Sequence, residues 1–260
     1  MGYTFISGAT GGIGKAFAYA CASKGYNLFL TARDEKKLSL LTEEIVKKYK
    51  VDVQFFACDL TREKERCDLA LNVSNKCKEL ERIINVAGVD TQMPFLDYSE
   101  QKLLFQLRVN TESVIHITHL LLKLGKVKEI ITIGSMSCVS PMPYFAIYSA
   151  TKALLLNFFT ALHYELKGFG VKVTTVLPGG VYTRPDVIKE IESQGIYGKL
   201  SAKSPDFVAK KSLKAVQKNK IKYIPGFFNK ALYCIMKIAP KRWVLTYISR
   251  RWKKHKKDAF

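Results

Sequence analysis

The sequence predicts a doubly wound parallel α/β sheet, and three observations carry that prediction. Short apolar runs alternate with longer amphipathic ones from the first residue to about residue 225. The first run leads straight into a glycine-rich turn. Hydrophobic side chains make up 48% of 260 residues and charged ones 25%, enough for a packed core. The same composition excludes a disordered chain, a collagen-like fibre and a small disulfide-stapled domain.

Taken in order, Tyr3–Ser7, Asn27–Thr31, Val51–Cys58, Arg82–Val86, Lys128–Gly134, Val171–Leu177 and Lys222–Pro225 are expected as strands. Each is short, rich in Val, Ile or Phe, and bounded by Gly, Pro or polar residues. Between them lie segments with helical spacing of apolar residues: Leu38, Leu41, Ile45 and Val46, then Leu103, Leu104, Leu107, Ile115, Thr118 and Leu121. Strands joined by crossover helices run parallel. With no repeat, low-complexity stretch or linker in view, residues 1–226 are expected to form one domain. Residues 227–260 follow as a basic, aromatic extension.

Charge is the unusual feature. Forty-two basic residues against 22 acidic ones leave a net charge of +20, which favours an anionic partner: a phosphorylated ligand, an acidic lipid surface or nucleic acid. The six cysteines (Cys21, Cys58, Cys67, Cys77, Cys138, Cys234) form no CxxC pair and suggest neither a metal site nor an oxidised framework. The segment Met1–Ser7 has no basic n-region or long apolar h-region, and Ile6 occupies the Ser/Thr position of a myristoylation motif. A cytoplasmic setting is the expectation.

The turn after the first strand reads Ser7-Gly8-Ala9-Thr10-Gly11-Gly12-Ile13-Gly14, and a helix is expected from near Lys15. Glycines at 8, 12 and 14 permit a tight turn and a close approach of backbone N–H groups to an anion, while the helix N-terminus adds partial positive charge. A plain turn is the blander reading. The position between strand and helix is what a pyrophosphate cradle requires. At the end of the second strand, where an NAD site usually carries an acid, stands Arg33, with Lys36 and Lys37 beyond. A guanidinium fits a 2′-phosphate in a forked geometry, which predicts NADP(H) over NAD(H). The alternative is a solvated helix start with Asp34 as N-cap.

Tyr148 and Lys152 stand four residues apart, neighbours on one helical face. A nearby cation lowers a phenol's pKa, so such a pair can act as general acid and base. Spacing alone says little, because Tyr98/Lys102 and Tyr233/Lys237 share it. Only Tyr148 has a serine, Ser135, thirteen residues upstream at the end of an apolar strand, where parallel sheets open their ligand crevice.

These residues, in this order, resemble the short-chain dehydrogenase/reductase family of the classical type, over about residues 3–185. Cys58-Asp59-Leu60 resembles the acidic adenine contact, and Asn85-Val86-Ala87-Gly88 departs from the usual Asn-Asn-Ala-Gly only at Val86. Asn110 matches the helical asparagine of the catalytic tetrad, with Ser135, Tyr148 and Lys152. Pro178-Gly179-Gly180-Val181-Tyr182-Thr183 matches the nicotinamide-side motif.

The resemblance implies a Rossmann fold and an oxidoreductase interconverting a ketone and a secondary alcohol. Ser135 would hold the carbonyl oxygen and Tyr148 donate the proton. Lys152 would bind the nicotinamide ribose and lower the Tyr148 pKa, while Asn110 would anchor a relay water. Cofactor contacts are implied at Gly8, Thr10, Gly12, Ile13 and Gly14, and at Arg33, Asp59 and Leu60. Further ones fall at Asn85, Ala87 and Gly88, at Tyr148 and Lys152 themselves, and at Pro178, Gly179, Val181 and Thr183. No metal is implied. Homodimers or homotetramers are expected, through the helices bearing Asn110 and Tyr148. A protein of this fold that senses nucleotide or acts as a membrane-associated scaffold without turnover is the alternative.

Residues 184–204 correspond to a mobile, mostly apolar substrate lid, and with the Phe- and Met-rich stretch 227–239 they suggest a greasy pocket wall for a 3-oxoacyl group or ketosteroid. The extension holds ten basic residues against one acid, Asp258, interleaved with aromatics such as Trp243, Tyr247 and Trp252. A solvated helix face, an anionic membrane surface (peripheral, at the inner face) and nucleic acid are the three readings, the last the weakest because no recognised motif accompanies the charge. The apolar run Ala231–Ala239 is too short to span a bilayer.

Overall fold

In the computed structural model, which describes residues 2–253, seven parallel strands form one sheet in the order β3-β2-β1-β4-β5-β6-β7. They are β1 (Tyr3–Ser7), β2 (Asn27–Ala32), β3 (Val53–Ala57), β4 (Leu80–Asn85), β5 (Glu129–Ile133), β6 (Lys172–Val176) and the two-residue β7 (Lys222–Tyr223). The helices are α1 (Gly12–Ala22), α2 (Glu35–Tyr49), α3 (Glu63–Lys76), α4 (Glu100–Leu107), α5 (Ser113–Leu122) and α6 (Ala146–Glu165), then α7 (Pro185–Ser193), α8 (Gly195–Ser201), α9 (Pro205–Gln217), α10 (Phe227–Ile238) and α11 (Lys241–Trp252). The predicted fold class holds. Every predicted strand is present, most trimmed by a residue or two at the ends.

Alternation along each strand sorts the core into two layers. Ile6, Leu28, Leu30, Ile84 and Ile131 face α1, α2 and α9. Phe5, Phe29, Ile83, Ile130 and Val173 face α3, α5 and α6. Asp34 caps α2 by accepting a hydrogen bond from the Lys37 amide at 3.0 Å, the cap that the alternative reading of this segment contained.

The helix expected across Leu103–Leu121 is broken. Residues Arg108–Glu112 widen into a π turn between α4 and α5. Thr111 Oγ1 donates to the Leu107 carbonyl and Ser113 Oγ to that of Val109, so hydroxyls compete for the backbone acceptors of this turn. The Asn110 side chain is drawn off the helix onto Val89. The first helix likewise starts at Gly12 rather than Lys15, with Gly11 in extended conformation as its N-cap.

At the amino ends of the strands, Arg82 is buried. Its guanidinium donates to Glu129 at 2.7 Å and lies 4.3 Å from the centroid of the Tyr26 ring. Removing one member of a buried ion pair strands the other charge. Glu129→Ala is therefore expected to lower unfolding stability by about 3 kcal/mol in urea titration, with nucleotide affinity unchanged because the pair lies at the far end of the sheet.

Candidate active site

Parallel strands bring their carboxyl ends to one rim, and the sequence-predicted residues collect there. Gly8 (φ +65°) sits against β4: a Cβ on it would lie 2.9 Å from the Ala87 backbone, and one on Gly14 would lie 2.1 Å from the Gly8 carbonyl oxygen. Only glycine fits at either position. Ser7 Oγ accepts from the Val86 amide at 3.1 Å and ties the two strand ends together.

The loop fits a phosphate group. The α1 N-cap is Gly11, which has no side chain to occupy the first-turn amides of Gly12, Ile13 and Gly14. A Cβ on Gly12 would lie 2.8 Å from Thr183 Cβ, so the Pro178–Thr183 segment reaches the same cradle. Thr10 lies in this loop, half-buried. Arg33 is exposed just past β2, its guanidinium 5.6 Å from the Phe105 ring centroid, which holds it beside the crevice. Past β3, Asp59 accepts from the Thr61 amide and hydroxyl, and Leu60 is buried with its carbonyl taken by Arg66. Asn85 is buried and donates to Thr118 and Thr132, so its side chain braces β4 against α5 and β5.

Tyr148 and Lys152 lie one turn apart on α6, with the ammonium 5.7 Å from the phenol ring centroid. Lys152 is buried and donates to the Ile133 carbonyl at 2.9 Å, where β5 ends. Ser135 follows β5 directly and accepts from the Ser137 amide. Asn110 holds Val89 from both sides, accepting from its amide at 2.8 Å and donating to its carbonyl at 2.9 Å. A Cβ on Gly88 would lie 3.3 Å from both Asn110 Oδ1 and Lys152 Nζ, so these polar atoms converge on one small gap. The other two Tyr/Lys pairs are engaged elsewhere: Tyr98 donates to the Thr91 carbonyl, and Tyr233 accepts from Lys222.

At Tyr148 burial pushes the phenol up, the Asp90 carboxylate adds to that, and a hydrogen bond with Ser135 opposes it. Burial also holds the Lys152 ammonium down to about 8 from the ordinary 10.5, against the pull of Asp90 and Cys138. Asp90 thus acts on both groups. Sequence reasoning passed over it, although it stands two residues past the Asn-Val-Ala-Gly motif.

Two other features had no sequence signal. Phe145 stacks on Tyr148 at 4.4 Å, and Trp252 at the end of α11 stacks on Phe145 at 6.3 Å. Asn229 of α10, fully buried, bonds Ser201 and the Pro225 carbonyl, fastening the extension to the end of the lid. The lid segment itself is helical, as α7 and α8. A concavity of about 550 Å³ along the outer edge of β3 contains none of the predicted site residues.

A family model described as short chain dehydrogenase matches residues 3–193. The human protein named inactive hydroxysteroid dehydrogenase-like protein 1 is 36% identical over 187 residues, covering 70% of this chain and 56% of that protein. The very-long-chain 3-oxoacyl-CoA reductase of Bos taurus is 35% identical over 196 residues, covering 72% of this chain and 62% of that one. The matched part is thus little more than half the length of these relatives. Among solved structures, a 7beta-hydroxysteroid dehydrogenase superposes with a TM-score of 0.87 at 23% identity, over 95% of this chain and 96% of that one. A short-chain dehydrogenase from Sphingobium yanoikuyae in complex with NADPH gives 0.76 at 24%, over 93% and 97%. At such identities the likeness is one of fold.

Between about pH 8 and 10.5 the unfolded chain holds the Lys152 proton and the folded chain does not, so this group makes stability rise with pH through that window. Lys152→Met is expected to raise the urea midpoint at pH 7. The lost hydrogen bond to Ile133 offsets about 1 kcal/mol of that gain, and the gain should shrink as pH climbs towards 10.5. A Met variant less stable than wild type at pH 7 would show that burial does not strain this amine.

Proposed function

The chain belongs to the short chain dehydrogenase family, and on that footing we propose that it is an NADP(H)-dependent oxidoreductase interconverting a lipophilic ketone and its secondary alcohol. The observation that carries this reading is the meeting of Ser135, Tyr148 and Lys152 at the end of β5, beside the glycine cradle.

When bound, the dinucleotide supplies or accepts the hydride. Its pyrophosphate would lie against the amides of Gly12, Ile13 and Gly14, with Gly8 and Thr10 shaping the loop and Arg33 meeting a 2′-phosphate. Asp59 and Leu60 would flank the adenine side. Ala87, Gly88, Pro178, Gly179, Val181 and Thr183 would flank the nicotinamide side, and Asn85 would brace the strand beneath. The Ser135 hydroxyl donates to the ketone oxygen, and the Tyr148 phenol gives that oxygen its proton. A phenol held protonated by burial suits the acid role in reduction. The Lys152 ammonium lies one turn away to restore the proton, and Asn110 borders the gap through which a water would pass it.

A lipophilic substrate is supported by the bovine relative's name and by the half-buried apolar lid residues Val187 and Ile188. Exposed Leu104 on α4 and Leu154 on α6 support pairing of two copies through those helices. The relative named inactive favours a second reading, in which the chain binds nucleotide without turnover. Against it stands the retention of the hydroxyl, phenol, amine and amide in one site.

Tyr148→Phe is expected to cut NADPH-dependent ketone reduction roughly a hundredfold or more, far more than it weakens NADPH binding. Unchanged turnover in that variant removes the proposed proton donor, and a wild-type chain that binds NADPH yet reduces no acyl, steroid or aromatic ketone supports the second reading. Arg33→Ala is expected to weaken NADPH roughly tenfold and NADH much less. Equal losses in calorimetric titrations of the two would take the 2′-phosphate role from Arg33.

A further inference from the structure

We propose that α10 and α11 form a docking face for an anionic lipid bilayer, lying along its surface. The inference goes beyond the reaction above and stands without it.

The extension divides differently from the sequence expectation of a pocket wall. Phe228, Leu232, Tyr233 and Met236 turn inward or lie half-buried, but Phe227, Ala231, Cys234, Ile235 and Ile238 are exposed. At about 100° per residue, these five fall within roughly a quarter to a third of the helix circumference. Phe227 is 87% exposed, Ile235 61% and Ile238 83%. A helix covering a protein surface turns polar residues outward; α10 turns an apolar stripe outward. On α11, Trp243 and Tyr247, one turn apart, are 74% and 60% exposed, while Ile248 is buried and anchors the helix. Ile196 and Leu200 of α8 add exposed apolar surface. Tyr197 packs on Phe228 at 5.5 Å and beneath Arg251 at 4.4 Å, so lid and extension make one continuous surface.

Charge selects the occupant. Residues 227–253 carry Lys230, Lys237, Lys241, Arg242, Arg250, Arg251 and Lys253 and no acid. Lys254, Lys256, Lys257 and Asp258 lie outside the described residues. A second copy pressed face to face would juxtapose seven cations with seven more. Nucleic acid would use the cations but leave the outward Phe and Ile stripe without a role. An anionic bilayer uses both: cations meet the headgroups, the apolar stripe enters the acyl boundary, and Trp and Tyr sit between. Among the described residues no helix is long and apolar enough to cross a membrane, so the pair lies in the surface plane.

Flotation of the full chain with phosphatidylcholine vesicles, with and without phosphatidylserine, tests this. Wild type is expected to float with the phosphatidylserine vesicles and to stay behind with phosphatidylcholine alone. Ile235→Ser/Ile238→Ser, at exposed positions, and Lys237→Glu/Lys241→Glu should each cut binding roughly tenfold or more, with thermal unfolding unchanged. Blue-shifted tryptophan fluorescence in wild type, lost in Trp243→Ser, is the second expected signature. Failure of the full chain to float with either vesicle overturns the proposal. So does undiminished binding by the Ile235→Ser/Ile238→Ser chain, which would leave only a solvated basic face. So too does an oligomer that the same two substitutions dissociate in the absence of vesicle binding.

Discussion

The structure depends on how closely β1 and β4 approach at their carboxyl ends. Gly8 rests on the Ala87 backbone, Gly14 on the Gly8 carbonyl, and Ser7 ties the two strand ends. With these contacts the first turn folds back hard enough to aim the α1 amides into the crevice. A methyl group on either glycine would force the turn open. Because the whole sheet is parallel, the same rim then receives Arg33, Asp59, Ser135 and the Pro178–Thr183 segment without further design.

A second constraint runs against stability. Lys152 is buried among strand ends with one carbonyl partner, and its environment disfavours its charge. A chain selected only to fold would place an apolar residue there. Asp90 relieves some of this strain, and Asn110, held by Val89 in a widened helical turn, keeps the neighbouring gap polar. Distortion of the helix at a candidate functional asparagine follows a general pattern, since π turns collect where side chains are diverted from helical geometry.

The extension is built into the site region rather than appended to it. Asn229 is bonded to the last residue of α8, and Trp252 reaches Phe145, which stacks on Tyr148. The end of α11 thus contributes a ring to the surroundings of the phenol.

Local chemistry was legible in the sequence. Alternation of apolar runs determined a parallel α/β sheet, the glycine turn announced the cradle, Asp34 was readable as a cap, and Tyr148 was picked from three equal spacings by Ser135 upstream. Each depends on neighbours within a few residues or one strand. What only the tertiary structure decided depends on groups far apart in the chain. The Asp90 carboxylate, 58 residues before Tyr148, joins burial in pushing that phenol up, and no local spacing announces it. Capture of Asn110 by Val89, 21 residues away, accompanied the break in a helix that periodicity had drawn as continuous. The Arg82–Glu129 pair joins adjacent strands 47 residues apart. Apolar spacing along α10 could not say which face looks outward, because periodicity marks stripes and only packing decides which of them water meets.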